Sequence, residues 1–465
     1  MRIIYIIIFV ICNLCLFAQK QINPNIFGFR MSTSFVFFDV EDSVFTNKVI
    51  DISPRLLCFP GGFGNFYHLN GPAYGINLKE VSNYNKVKAE IGKSLNWIGR
   101  KKGHSSNYIY DFISLVSQTK SEVIFNINIL NEPVEDYLRV LEIFEENNIN
   151  VIAVELGGEL YTREYKDKID GELYIKLAKN CADNIKKYYP NVLIGVVAAP
   201  VNTLRRHNFW NRKLALESFY DAIIVHSYAK VTKGDSHAGK MISEDQEFDD
   251  KKIVFDLYRQ RVINYFKNDY PSKMLEYSVA FENKPIWITE WNLQMSKITA
   301  NTMLQALYTA SYLLELSTNS KLSNIELATF HNMAGRTLSG SMLLKKDNNM
   351  HVLSTYVPML MLGELFFDDE YLGEKISLSD KCIKYIFTQH SSDKKIIYWV
   401  NWSEDNFLDS QILNGKYIKK EYYAKDLFST SFDKNGLNYF ETDQIFNNER
   451  VNIMPYSFTM IIFNE

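Results

Sequence analysis

From residue 120 to about 335 the chain alternates short apolar runs rich in β-branched residues with longer stretches of helical period. "EVIFNINIL" leads into "VEDYLRVLEIFEENN", and "VIAVELGG" into "GELYIKLAKNCADNIKKYY". "NVLIGVVAA", "DAIIVHSY", "KPIWITEW" and "NIELATFHN" follow, the last two flanking the helical "TMLQALYTASYLLEL". Strand, helix, strand at this spacing predicts parallel βα units. Two upstream runs, "NPNIFGFRM" and "PRLLCFPGG", bring the predicted strands to the number that closes a (β/α)8 TIM barrel. A doubly wound open sheet is the competing α/β architecture. No Gly-rich phosphate loop opens a helix after the first strand, which favours the barrel.

After residue 339 the texture changes to alternating runs such as "KIIYWVNWS" and "YSFTMIIF", interrupted by one helical stretch, "YVPMLMLGELF". This predicts a C-terminal antiparallel β-sandwich over 339–465, with the N-terminal segment available to complete it, beside a barrel over 19–338. The first residues, "MRIIYIIIFVICNLCLFAQ", carry one Arg, an apolar stretch and a small residue, Ala18, before Gln19. That is the pattern of a secretory signal peptide over 1–18, with an uncleaved anchor as the alternative. No second apolar segment has the length of a spanning helix. The expectation is an exported protein, periplasmic or extracellular, without stable membrane insertion after signal cleavage.

Composition narrows the chemistry. Hydrophobic residues make up 46% of the chain, enough for a sizeable core. The formal charge of −3 gives no basic field, and the longest cationic cluster is Arg100, Lys101 and Lys102, which argues against nucleic acid as a partner. Beyond the leader only Cys58, Cys181 and Cys382 remain, with neither a disulfide framework nor a zinc spacing. Cys181 falls on an apolar helix face with Leu173, Leu177 and Ile185 and is expected in the core. The eight histidines show no HExxH-like spacing, so no metal and no cofactor is expected. "GGFG" lacks the helix of a phosphate cradle and is expected to be a tight turn. "NWS" at Asn401 matches a glycosylation acceptor.

In such a barrel the working residues sit where strands end. Two strand ends carry glutamates: Glu159 after the fourth strand and Glu290 after the seventh. Opposed carboxylates in one mouth point to glycoside hydrolysis, whose retaining form needs one protonated acid and one ionised nucleophile about 5 to 5.5 Å apart.

The segments "INPNIFGFRM", "CFPGGFGNFYHLN", "ELGGEL", "ITEWN" and "MPYSFTMIIF" together resemble a clan A glycoside hydrolase. The chain is most similar to the α-L-arabinofuranosidase and heparanase/β-glucuronidase group. The resemblance covers most of the chain and implies that Glu159 is the general acid/base and Glu290 the nucleophile. It implies that His226 and Tyr228, ending the sixth strand, touch the nucleophile or a sugar hydroxyl. Trp291, and Tyr67 with His68 in the second βα loop, are candidates for a stacking wall. His331 ends the eighth strand and is a further substrate-binding candidate; Asn126 and Asn128 stand on the third. Packing is the alternative reading for each.

Two positions depart from the group. Gly158 stands where an Asn that hydrogen-bonds the sugar's 2-hydroxyl is usual, and Cys58 where many relatives have Arg, a cation that Arg55 or another loop would have to replace. Glu132 in "NEP" is a competing acid, but it follows the third strand and opens a helix. Glu155 is expected to accept hydrogen bonds or orient Glu159. The reading is an exported hydrolase of polysaccharide or oligosaccharide. A sugar-binding protein with weakened catalysis is the second reading, motivated by Gly158 and Cys58, and a transglycosylase the third.

Overall fold

The computed structural model describes residues 20–463 except 32–33, 63, 72–74, 85, 102–107, 233–235, 238–239, 242–249, 368–369 and 393. The expected leader lies outside the described residues. Among the described residues no helix is long and apolar enough to cross a membrane.

The eight strands close into one barrel: β1 (Gly28–Arg30), β2 (Leu56–Phe59), β3 (Glu122–Ile127), β4 (Val151–Leu156), β5 (Leu193–Val197), β6 (Ala222–Ala229), β7 (Ile286–Leu293) and β8 (Ile325–His331). β8 pairs in parallel with β1, which excludes the open sheet. Inner side chains such as Leu56, Ile124, Ile224, Trp287 and Leu327 fill the barrel, while the outer ones meet helices. Burial on both faces is why these strands are nearly continuous apolar runs. Gly195 makes room for the largest inner ring, since a Cβ there would lie 2.6 Å from Trp287.

The helix Gly171–Tyr188 starts at Asp170, whose carboxylate accepts from the Leu173 amide at 2.9 Å. Its inner stripe is Tyr174, Ala178, Cys181, Ala182 and Ile185, whereas Leu173 is 41% exposed. Cys181 is therefore core as expected, but Leu173 lies outside the stripe. The helix Met303–Thr318 is buried along all 16 residues, between the barrel and the sheet domain.

That domain contains β12 (Tyr371–Ser377), β13 (Cys382–Gln389), β14 (Lys395–Asn401), β15 (Phe407–Ala424), β16 (Leu437–Ile453) and β17 (Ser457–Phe463). With the N-terminal strand Lys20–Gln21 they form an antiparallel sheet, Lys20 opposite Gly373, so the N-terminal segment does complete it. Along β14, Ile396, Tyr398 and Val400 join the main core. The alternate residues Ile397 and Trp399 join a second, small core with Leu413 and Val451 as the sheet curls over itself.

The change of texture after residue 339 is not the domain boundary. β9 (Ala334–Gly335), β10 (Leu343–Lys346) and β11 (Asn349–Val352) form a small sheet directly after β8. The helix Tyr356–Phe366 then packs on the barrel, Phe366 stacking on Phe27 at 4.7 Å. The sheet domain begins only at Tyr371. Asn401 is fully buried and its amide donates to the carbonyls of Asp405 and Met454, so it is no glycan acceptor. Cys58, Cys181 and Cys382 are buried free thiols.

Candidate active site

β4 stops at Leu156, and Gly157 and Glu159 then adopt left-handed backbone with φ of 80° and 47°. The turn carries Glu159 over the mouth. Asn65, from the loop after β2, grips this turn from the side: its Nδ2 donates to the Gly158 carbonyl at 2.5 Å and its Oδ1 accepts from the Gly158 amide at 2.7 Å. The same loop approaches β3 so closely at Gly64 that a Cβ there would collide with the Asn126 side chain. Glycine in "GGFG" thus serves close approach, with Gly61 in the left-handed turn region at φ 86°.

Opposite, a register shift after Trp287 places Glu290 beside His226 of β6. The imidazole lies between the two glutamates, its Nδ1 3.0 Å from Glu159 Oε1 and 3.4 Å from Glu290 Oε2. Tyr228 donates its hydroxyl to Glu290 Oε2 at 2.7 Å. Arg30, at the end of β1, places Nε 3.4 Å from Glu290 Oε1 and donates from it to the Thr289 carbonyl at 3.0 Å. Its Nη2 reaches Glu155 Oε2 at 2.5 Å.

The environments of the two glutamates differ. The Glu290 side chain is 14% exposed and that of Glu159 43%. Burial pushes the Glu290 carboxyl up, but the charges of His226, His331 and Arg30 and the Tyr228 hydrogen bond outweigh it and hold the group well below the usual carboxylate range. His226 moves the other way: burial disfavours its charge, yet the two carboxylates raise its pKa above the ordinary value. At His331, whose ring meets Tyr228 edge-on at 6.3 Å, burial wins over the attraction of Glu290 and lowers the pKa.

Glu155 is fully buried and accepts from Arg30, from Asn126 at 2.6 Å and from the Cys58 thiol at 3.8 Å. Burial pushes that thiol well up, so it remains a neutral donor. The cation missing at position 58 is supplied from the neighbouring strand, where Arg30 lies in register with Cys58. Arg55 cannot do this, because it precedes β2 and sits at the barrel's opposite end.

The other expected residues divide. Trp291 is fully buried outside the barrel, stacked on Tyr312 at 4.1 Å, and offers no face to a sugar. Tyr67 is equally buried, edge-on against Phe59. His68 meets Glu80 at 2.8 Å and Asn128 at 3.4 Å rather than the glutamate pair. Asn128 turns inward on its own loop, accepting from the amides of Leu130 and Asn131. The Glu132 carboxyl is pushed up to about 9 by burial, then by Asp136 and Glu80, against a smaller opposing effect of the Asn128 backbone. Arg30 and Asn65 were not anticipated. For Arg30 the signal was available: a lone cation ending the apolar run "NPNIFGFRM".

No family model and no curated protein matches the sequence. Solved structures do match, across nearly the whole chain. The GH51 arabinofuranosidase from Xanthomonas axonopodis pv. citri is 11% identical, with 96% of this chain and 97% of that one covered at a TM-score of 0.65. The α-L-arabinofuranosidase from Thermotoga maritima, in its arabinose complex, is 14% identical with the same coverage and a TM-score of 0.62. A GH30 endoxylanase from Clostridium papyrosolvens is 11% identical, covering 96% and 98%, at 0.51. At such identities the likeness establishes the fold alone: a parallel (β/α)8 barrel with a C-terminal β-sandwich.

Proposed function

We propose that the chain is a retaining glycoside hydrolase in which Glu290 is the nucleophile and Glu159 the acid/base. The observation that carries this is a single imidazole nitrogen within 3.4 Å of both carboxylates, which reach it from opposite sides of the mouth. The two carboxylate oxygens can be no further apart than those two distances together. That accommodates the ~5 to 5.5 Å separation of a retaining pair.

The steps follow from the two environments. Glu290, held ionised, attacks the anomeric carbon; the new ester C–O bond forms as the glycosidic C–O bond breaks. The departing oxygen takes the proton carried by Glu159. Water then enters, gives its proton to Glu159, and displaces Glu290 from the sugar. Tyr228 and Arg30 position the nucleophile, and His226 positions Glu159 through their 3.0 Å contact. The named neighbours act on arabinofuranosides and xylan, which makes pentose-containing glycans the first substrates to test; export by the N-terminal leader is part of the same proposal.

Glu290→Gln is expected to abolish turnover. Glu159→Gln should retain activity on aryl glycosides with good leaving groups, and azide should restore that variant by taking the place of the activated water. Equal loss on aryl and natural substrates, with no azide product, would remove the assignment. A second reading, a sugar-binding protein with weakened catalysis, is favoured by one observation: Gly158 offers no side chain, and the neighbouring Asn65 amide is committed to the Gly158 backbone. Calorimetric binding of oligosaccharide without release of reducing ends would select it.

A further inference from the structure

A cleft of about 880 Å³ beside the barrel mouth is lined by Phe37, Trp97, Arg336, Lys345, Lys346 and Phe432. Its walls come from chain that leaves the carboxyl ends of barrel strands. Phe37 belongs to the short helix Ser34–Phe37 after β1, and Trp97 to the helix Lys86–Lys101 after β2. Arg336 directly follows β9, and Lys345 and Lys346 lie on β10, both beyond β8. These connections build the same face of the barrel as Glu159 and Glu290. Phe432 is contributed by the turn between β15 and β16, so the sheet domain closes one side.

Two properties of the lining constrain what fits. Trp97 is 64% exposed and Phe432 44%, and large aromatic surfaces left in water beside a concavity mark binding sites. Among the described residues of the lining, three cations face a single carboxylate, Asp347. Each cation is poised over a ring: Arg336 at 5.6 Å from Phe37, Lys345 at 5.6 Å from Phe38, Lys346 at 5.2 Å from Phe432. Among the described residues none of the three is ion-paired. An apolar occupant would strip water from these charges without replacing it. Nucleic acid would call for a wider basic field than this net-negative chain provides. A sugar chain bearing carboxylates meets both demands, its ring faces lying on the aromatics and its acid groups on the guanidinium fork and ammonium groups.

We propose that this cleft is an accessory subsite for a glycan carrying uronic-acid units, with Trp97 and Phe432 as its platform and Arg336, Lys345 and Lys346 as its anion anchors. The proposal rests on the glycosidase reading only in taking the ligand to be a glycan.

The test is calorimetric titration of the full chain with oligosaccharides of galacturonate, of mannuronate and of glucuronate-substituted xylan, each beside its methyl ester. At least one acid should bind about tenfold or more tighter than its ester, the preference shrinking with added salt. Lys345→Ala with Lys346→Ala, and separately Trp97→Ala, should each lose about tenfold in affinity while turnover of a simple aryl glycoside stays at the parent level. Equal affinity for acid and ester, no binding of any probe, or indifference to all of these substitutions would overturn the subsite. Absence of turnover on every aryl glycoside, with charge-dependent binding intact, would instead remove the catalytic reading and leave the subsite standing.

Discussion

Arg30 donates to Glu155 and to the Thr289 carbonyl and lies beside Glu290, so one guanidinium ties β1, β4 and β7 together. Removing it would leave the fully buried Glu155, among the described residues, with only Asn126 and a thiol as donors. Arg30→Met is expected to cost about 3–5 kcal/mol in denaturant unfolding, and adding Glu155→Gln should restore most of that by removing the orphaned charge. Simple additivity of the two losses would show that they do not act as a pair. The substitution should also let the Glu290 carboxyl rise, because one of the cations holding it down is gone, and shift the acid limb of the pH–rate profile to higher pH. Arg30 stands out in the sequence as a lone cation in an apolar run, but its partners do not, because they depend on lying in register with Cys58 and strand pairing is invisible along the chain. The misplacement of Trp291 was avoidable: neighbours in a strand point to opposite faces, so a Glu290 aimed into the mouth sends Trp291 outward.

The turn after β4 shows how much an element can carry. Gly157 needs its left-handed φ, and a Cβ there would also strike Leu160 at 2.7 Å. Gly158 is different: the nearest atom to a Cβ there would be the Asn65 Oδ1 at 3.8 Å, so a larger residue fits. Gly158→Asn is expected to fold with a stability change within about 1 kcal/mol. It should raise kcat/KM several-fold on glycosides with a free 2-hydroxyl by adding the missing donor. Unchanged or lower kcat/KM in a folded variant would mean that the site binds its sugar in another geometry. The eight barrel strands were legible because double-sided burial writes each as an apolar run. The end of the barrel was not, since β9 to β11 are short strands of two to four residues, too brief to write a periodic pattern of their own.

At the scale of the molecule, the two domains share one core. Side chains from the barrel strands, from the helix Met303–Thr318 and from β13, β14 and β17 belong to a single buried cluster. Glu315, almost fully buried on that helix, accepts from two groups of the sheet domain, the Lys375 ammonium and the Tyr385 hydroxyl at 2.9 Å, besides Asn319 at its own helix end. Lys20 reaches back from the N-terminal strand to the Leu316 carbonyl at 2.6 Å. Scanning calorimetry should therefore show one cooperative transition with matching calorimetric and van't Hoff enthalpies; two resolved peaks would mean that the domains unfold independently.

The helix Met303–Thr318 has a consequence for how this chain can change over generations. Most barrel helices keep a wet face where substitutions are nearly free, so their sequences drift while a period of about 3.6 survives as the record of the dry face. A helix without a wet face has no neutral positions to spend. Its permitted changes are exchanges of one buried side chain for another of similar volume, often in compensating pairs across the two domains. Between distant relatives this stretch should retain its apolar character without any periodic trace, a slowly changing hinge between two more freely drifting halves.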